Sequence, residues 1–177
     1  MTKIETLEKY NVIVIDPPWN IKKLTHKARP NQIKMDYNTM SMDEIKSLNI
    51  SDIADDNSWC FLWTTQKYLF EAKKVLEGFG FKYMFLMTWK KCAGISEGMP
   101  LFGFRWNSEF VLVGSKGKKK LWVRGNPLIK MCFEGINIRH SQKPDEFYNM
   151  IEKLGDKRID IFARNKRIGW DVWGDEV

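Results

Sequence analysis

The sequence predicts an α/β fold with a mostly parallel central sheet and helices on both faces. Short apolar runs rich in Val, Ile, Phe and Trp recur along the chain, each too brief for a helix and bounded by turn-forming residues. Between them apolar residues repeat at helical spacing, so strand and helix alternate as in right-handed crossover units. The third observation is where the unusual chemistry lies. Acids and prolines stand just past the ends of these runs, where open α/β sheets bind ligands.

The first run, Asn11-Val12-Ile13-Val14-Ile15, reads as a buried strand that Asp16-Pro17-Pro18-Trp19 stops abruptly. Residues 20–37 follow without apolar periodicity and carry Lys22, Lys23, His26, Lys27 and Arg29. A loop that long inside a domain is either functional or disordered. Tyr37 lies near its end, placed either to close over a bound base or to pack. Ser41-Met42-Asp43-Glu44 is a capping-box sequence and predicts a helix over residues 42–48. Residues 59–63 read as a buried strand, and residues 66–77 as a helix with Leu69, Ala72, Val75 and Leu76 on one face, stopping at Gly78. Strands are expected again at residues 82–89 and 107–113, separated by an irregular Gly-containing segment. Residues 114–120 read as a turn carrying a lysine run, which is either a solvated loop or a nucleic-acid contact. Residues 121–138 give only a strand near 121–123. Pro144 suits the first turn of a helix whose apolar face is Phe147, Met150, Ile151 and Leu154, ended by Gly155. Residues 158–162 predict a central strand with Ala163-Arg164-Asn165 as its loop, and residues 168–173 a last strand closing on Gly174-Asp175-Glu176.

Composition narrows the class. The 177 residues, 44% hydrophobic and 29% charged, suit one domain spanning 1–177. No apolar run reaches the roughly 18 to 20 residues of a membrane span, and the polar residues 1–9 carry no secretion signal. Cys60, Cys92 and Cys132 are scattered, and His26 and His140 are the only histidines, so no metal-binding spacing exists and reduced thiols in a cytoplasmic setting are expected. A net charge of +7 favours a polyanionic partner such as nucleic acid.

The Asp16-Pro17-Pro18-Trp19 loop is rigid, because each proline fixes its own φ and restricts the residue before it. It offers a carboxylate, backbone carbonyls without competing N–H groups at the prolines, and a flat indole. Acceptors beside a stacking face suit a planar ring with an exocyclic amine, such as adenine. Such an amine is a poor nucleophile until its N–H groups are held by acceptors that localise the lone pair. Asp16 and the Pro17 carbonyl would be those acceptors, and Trp19 the stacking partner, worth roughly 1–3 kcal/mol. The same four residues equally describe a Pro-rich turn after a buried strand.

A second strand end carries matching chemistry. If the strands ending at Asp16 and at Phe162 are neighbours, their loops meet at one switch point. Asp175 and Glu176 are then placed for ribose hydroxyls, and Lys143 for a carboxylate. A nucleoside bearing a carboxylate and an electrophilic methyl group, S-adenosylmethionine, fits that set.

These segments together resemble the MT-A seventy family of S-adenosylmethionine-dependent N6-adenine methyltransferases. The matching stretches are Asp16-Pro17-Pro18-Trp19, Tyr37-Asn38-Thr39-Met40, Leu62-Trp63-Thr64-Thr65, residues 109–117, His140-Ser141-Gln142-Lys143-Pro144-Asp145-Glu146, Ile161-Phe162-Ala163-Arg164 and residues 169–176. The resemblance implies a permuted Rossmann-like methyltransferase fold, in which the catalytic D-P-P-W motif precedes the cofactor-binding strand. It assigns Asp16, Pro17, Pro18 and Trp19 to catalysis, and Tyr37 and Glu109 to the substrate. Lys143, Phe162, Arg164, Asn165, Asp175 and Glu176 fall to the cofactor. Ala163-Arg164 replaces the glycine-rich cofactor loop of other methyltransferases, and Asp175 stands where this family often has an amide. Small members without appended RNA-binding modules look bacterial or phage-like, which favours DNA over RNA by analogy. A catalytically silent, nucleic-acid-binding partner subunit is the reading of a different class. Target recognition falls to the loops at residues 20–37 and 90–105, to a second copy or to a partner subunit.

Overall fold

A computed structural model describes residues 4–20, 39–92, 107–118, 128–136 and 142–174. The Val/Ile run forms β1 (Tyr10–Ile15), and Val12 to Ile15 are all fully buried. A continuous apolar run rather than an alternating one is what a strand covered on both faces requires. The other strands are β2 (Ala54–Thr64), β3 (Lys82–Cys92), β4 (Ser108–Lys116), β5 (Cys132–Ile136), β6 (Arg158–Ile161) and β7 (Asp171–Trp173). Together the described strands make a seven-stranded sheet in the order β5-β3-β4-β2-β1-β6-β7. β1 lies inside it, parallel to β2 on one side and to β6 on the other. The early and late loops of the chain therefore emerge side by side, as the switch-point argument expects.

The sheet is mostly parallel but mixed. β5 is parallel to β3 and β7 to β6, whereas β4 runs antiparallel to both β2 and β3. An apolar run marks a strand buried on both faces but carries no direction, so the crossover pattern could not exclude this reversal.

Helices cover both faces. Ile13 and Ile15 of β1 pack with Ile45 of α1 (Met42–Lys46), Ile50 of α2 (Ile50–Ile53), and Ala72, Val75 and Leu76 of α3 (Leu69–Gly78). Val12 and Val14 face the other way, onto Phe147 and Ile151 of α4 (Asp145–Ile151). That division follows from the period-2 alternation of a strand.

Several boundaries differ from the sequence reading for identifiable reasons. Both halves of the Ser41/Glu44 capping box form, with Ser41 N–H donating to Glu44 Oε2 at 2.7 Å, but α1 ends at Lys46 and a further short helix, α2, follows. Residues 66–68 form a 3-10 turn ahead of α3, and Gly78 is the last residue of that helix. Pro144 is the cap of α4 at φ −70 and ψ 144, one residue before the first turn. Gly114, Ser115 and Lys116 belong to β4, and the turn begins at Gly117. There φ is +68 and an added Cβ would fall 1.9 Å from the Asp56 carbonyl oxygen, so only glycine fits. β5 lies in the stretch left largely unassigned, because Cys132-Phe133-Glu134-Gly135-Ile136 alternates around a glycine and an acid. The strand expected near residues 121–123 lies outside the described residues. β7 is shorter than predicted, and Ile168 is fully exposed before it. Among the described residues, no helix is long and apolar enough to cross a membrane.

Candidate active site

Asp16 leaves the end of β1 with its own N–H donating to the Ile161 carbonyl at 3.1 Å, which ties the D-P-P-W loop to the end of β6. The Pro17 carbonyl accepts the Trp19 N–H at 2.7 Å and the Pro18 carbonyl accepts the Met40 N–H at 2.9 Å. Both proline oxygens thus have a partner already, and Pro17 has one remaining lone pair to offer.

Trp19 requires a correction. Its indole is 5% exposed, donates from Nε1 to the Trp63 carbonyl at 3.0 Å, and stacks on Tyr68 with centroids 5.3 Å apart. The side chain fastens the loop to β2 instead of presenting a free face to a base. A tryptophan after two prolines signals a fixed aromatic; the sequence could not say that its face was already occupied.

Beside the loop lies an alternating row of charges. Lys143 Nζ is 3.0 Å from Asp16 Oδ2 and 3.0 Å from Glu109 Oε2. Glu109 turns its other oxygen to Lys91 Nζ at 2.6 Å. The two lysines also lie over aromatic rings, Lys143 at 4.9 Å from the Trp63 centroid and Lys91 at 5.2 Å from that of Trp89. Those indoles pack edge to face at 5.9 Å, making a rigid floor for the charges.

Electrostatics divides the two acids. Burial pushes the Asp16 carboxyl above its usual range, Lys143 opposes this, and Glu109 adds to the rise. Burial would lift Glu109 as well, but Lys143 and Lys91 together override it and hold the group at about 2. Lys143 is held firmly protonated, because its two carboxylates outweigh the burial that would lower it. Glu109 is the fixed anion of the row, and Asp16 the one whose charge depends on its surroundings.

The adjoining crevice is lined by Asp16, Lys143, Asp160, Phe162, Arg164 and Asn165 among others. Phe162 sits at φ 64, a left-handed conformation that costs a bulky residue about 1–3 kcal/mol and that clusters at ligand sites. Its N–H donates to the Trp173 carbonyl at 2.6 Å, and its ring meets Trp173 edge on. An added Cβ on Gly174 would come 3.0 Å from Phe162 Cα, so the end of β7 closes against this turn. Tyr37, Asp175 and Glu176 lie outside the described residues.

Sequence reasoning missed two site residues, Lys91 and Asp160. Lys91 was left in an irregular segment, yet it closes the charge row. Asp160 is 3% exposed inside β6 and accepts from Tyr148 Oη at 2.8 Å, while the Arg167 guanidinium lies 3.8 Å over the Tyr148 ring and pairs with Asp145. Burial pushes Asp160 up to about 7 despite the Tyr148 bond, and Tyr148 is raised well above its usual value. An acid in the middle of Arg158-Ile159-Asp160-Ile161-Phe162 was the available signal, because acids are almost never buried without a partner.

Residues 10–176 match the MT-A70 family model. The chain belongs to the MT-A70 family. It is 30% identical over 188 residues to the Type II methyltransferase M.MunI of Mycoplasma sp, covering 96% of this chain and 78% of that protein. It is 28% identical over 182 residues to the human N(6)-adenosine-methyltransferase catalytic subunit METTL3, covering 98% of this chain and 29% of the relative. A Medicago truncatula protein named as a putative N(6)-adenosine-methyltransferase is 28% identical over 184 residues, and the chain spans 28% of its length. MT-A70 methyltransferases depend on S-adenosylmethionine, and the mixed sheet agrees with their Rossmann-like fold.

The charges lining the crevice suit that cofactor. S-adenosylmethionine joins an ammonium and a sulfonium to a carboxylate, and the crevice places the acids Asp16 and Asp160 beside the cations Lys143 and Arg164. Acidic and basic partners in one crevice are what such a mixed-charge chain requires.

Proposed function

We propose that this chain methylates the exocyclic N6 amine of adenine in DNA. The observation that carries the proposal is the Asp16 carboxylate, held 3.0 Å from Lys143 at the end of β1 and tied by its N–H to the strand that ends at Phe162. Bound S-adenosylmethionine supplies a methyl group on a sulfonium. Asp16 accepts one N–H of the amine and the free lone pair of Pro17 the other, so the nitrogen lone pair is localised for attack. As the new N–C bond forms and the methyl–sulfur bond breaks, leaving a neutral thioether, the amine would gain positive charge and then release one proton to water. Asp16 and Glu109 place negative charge beside it, and Lys143 keeps Asp16 ionised until that moment. With Trp19 packed away, Tyr37 is the residue proposed to hold the base. Phe162, Arg164, Asn165, Asp175 and Glu176 are assigned to the cofactor, with Lys143 shared between its carboxylate and Asp16. The base reaches this pocket by flipping out of its stack.

One observation favours DNA: the chain is 30% identical to a Type II methyltransferase and covers 78% of it. The net charge of +7 suits either nucleic acid. RNA is the second reading, supported by relatives named as adenosine methyltransferases. The purified protein should be incubated with labelled cofactor and either duplex DNA or RNA, followed by nucleoside analysis. N6-methyldeoxyadenosine is the expected product. N6-methyladenosine alone would move the assignment to RNA, and failure to bind cofactor would favour a silent partner subunit.

A further inference from the structure

Lys91 does not line the crevice, yet its place in the fold links it to the reacting centre. It lies at the end of β3, and its N–H donates to the Asn107 carbonyl at 2.9 Å. Trp89 is directly opposite Glu109 in the β3/β4 register, so Lys91 and Glu109 share a face as diagonal neighbours. The Lys91 ammonium takes one Glu109 oxygen at 2.6 Å while Lys143 takes the other at 3.0 Å. All four side chains of the row are largely covered, with exposures of 14% for Lys91, 19% for Glu109, 9% for Lys143 and 15% for Asp16.

We propose that Lys91 is a positioning residue for methyl transfer, which sets the charge and placement of Asp16 through Glu109 and Lys143. This inference rests on the methyl-transfer reading. The physical reason is a division of charge. Lys143 serves two carboxylates, and what it gives to Asp16 depends on how far Glu109 is satisfied elsewhere. Lys91 satisfies one Glu109 oxygen, which leaves Lys143 free to hold Asp16. Without Lys91, Glu109 draws Lys143 toward itself, and the covered Asp16 is left with a weaker counter-charge. Burial then favours its protonated form, which cannot accept an N–H at that oxygen. The charged and titratable groups that face Asp16 are Lys143, Glu109 and Arg164, with Asp160 and its partner Tyr148 from β6 and α4. The variant leaves each of these in place.

The test uses the full chain with Lys91→Met and Lys91→Arg. The first measurement is carboxyl-carbon NMR titration of Asp16 and Glu109, which needs no turnover. In Lys91→Met both midpoints should move up, Asp16 by about one pH unit, and Lys91→Arg should restore them. The second measurement is the pH dependence of kcat on whichever nucleic acid the wild type methylates. The acid limb of the Lys91→Met profile should move up by about one pH unit, with the rate recovering to within about twofold of wild type above it. Its cofactor affinity should stay within about threefold of wild type, because Lys91 does not line the crevice. Unmoved Asp16 titration in a folded Lys91→Met protein overturns the role, whatever its rate. A wild type that methylates nothing overturns the functional reading, and the titration still decides whether Lys91 controls Asp16.

Discussion

Gly135→Ala probes the site from outside the charge row. Gly135 lies in β5, where its carbonyl accepts Trp89 Nε1 at 3.1 Å. An added Cβ would stand 2.5 Å from Pro144 Cβ and 3.0 Å from Pro144 Cγ. Carbon atoms settle at about 3.5–4.0 Å, so the proline must retreat by about 1 Å or more. Lys143 precedes Pro144 and moves with it. If its contact with Asp16 lengthens from 3.0 Å to about 4 Å, the attraction weakens by about 1.4 kcal/mol at an effective dielectric of 20. That corresponds to about one unit in the Asp16 pKa, or tenfold in its ionised fraction below the midpoint. Misplacement of the ammonium itself can extend the loss to about 100-fold. Overpacking also costs about 1–3 kcal/mol of stability. The assay is a pH–rate profile at saturating cofactor beside thermal denaturation. A lower rate at pH 7, partial recovery at higher pH and a reduced Tm are expected. Wild-type rate and profile in a variant of lowered Tm would show that Lys143 is not held through its proline, and would refute the reasoning.

Asp16→Ala should cut methyl transfer by at least about 100-fold. Calorimetry should find cofactor affinity changed far less than that; robust transfer would remove Asp16 from its role. Trp19→Phe should lose the bond to the Trp63 carbonyl and about 1–2 kcal/mol of stability, lowering Tm by about 2–4 °C per kcal/mol. A raised KM with unchanged Tm would instead return the indole to the base. Asp160→Asn should reveal a pH-dependent gain in stability. The folded carboxyl titrates at about 7 against an unfolded value of 3.8, so the folded state binds the extra proton between these limits. Wild-type stability therefore falls as pH rises from the lower value to the upper one. The amide, still able to accept from Tyr148, escapes that fall. Denaturant midpoints at pH 4.5 and pH 8 should show the gap opening with pH; a constant gap would mean that the buried acid is already ionised throughout.

The sequence was most informative where one residue type had one physical use. Two prolines after a Val/Ile run could only end a buried strand, and Asp16 is found there. Asp16 and the loop after Phe162 were predicted to meet, and the bond from Asp16 N–H to Ile161 shows them adjacent. Legibility failed where function depends on a partner from a distant strand. Trp19 reads as a stacking partner for a base because its packing on Tyr68 and its bond to Trp63 come from distant residues that no local pattern announces. Lys143 was given to a cofactor carboxylate, whereas it already holds two carboxylates of the protein. Lys91 falls in a stretch that reads only as irregular, and Asp160 inside a predicted strand, and neither is singled out by its neighbours in sequence. Their significance lies in pairings across β3/β4 and between β6 and α4.

The reversal of β4 accounts for why the charge row can exist. In a wholly parallel sheet the strand ends that meet a ligand are all carboxyl ends, and each contributes its last residues and the loop beyond. β1, β2, β3 and β6 do this here, delivering Asp16, Trp63, Lys91 and Phe162 to one edge. β4 enters between β2 and β3 in the opposite sense, so its first residues arrive at that same edge. Glu109 is consequently held in the β3/β4 ladder opposite Trp89, beside Lys91 and within reach of Lys143. A carboxylate on a rigid strand loses less freedom than one on a loop when it fixes two lysines. Among the described strands, the one that breaks the parallel pattern thus supplies the fixed anion against which Lys143, and through it Asp16, is set.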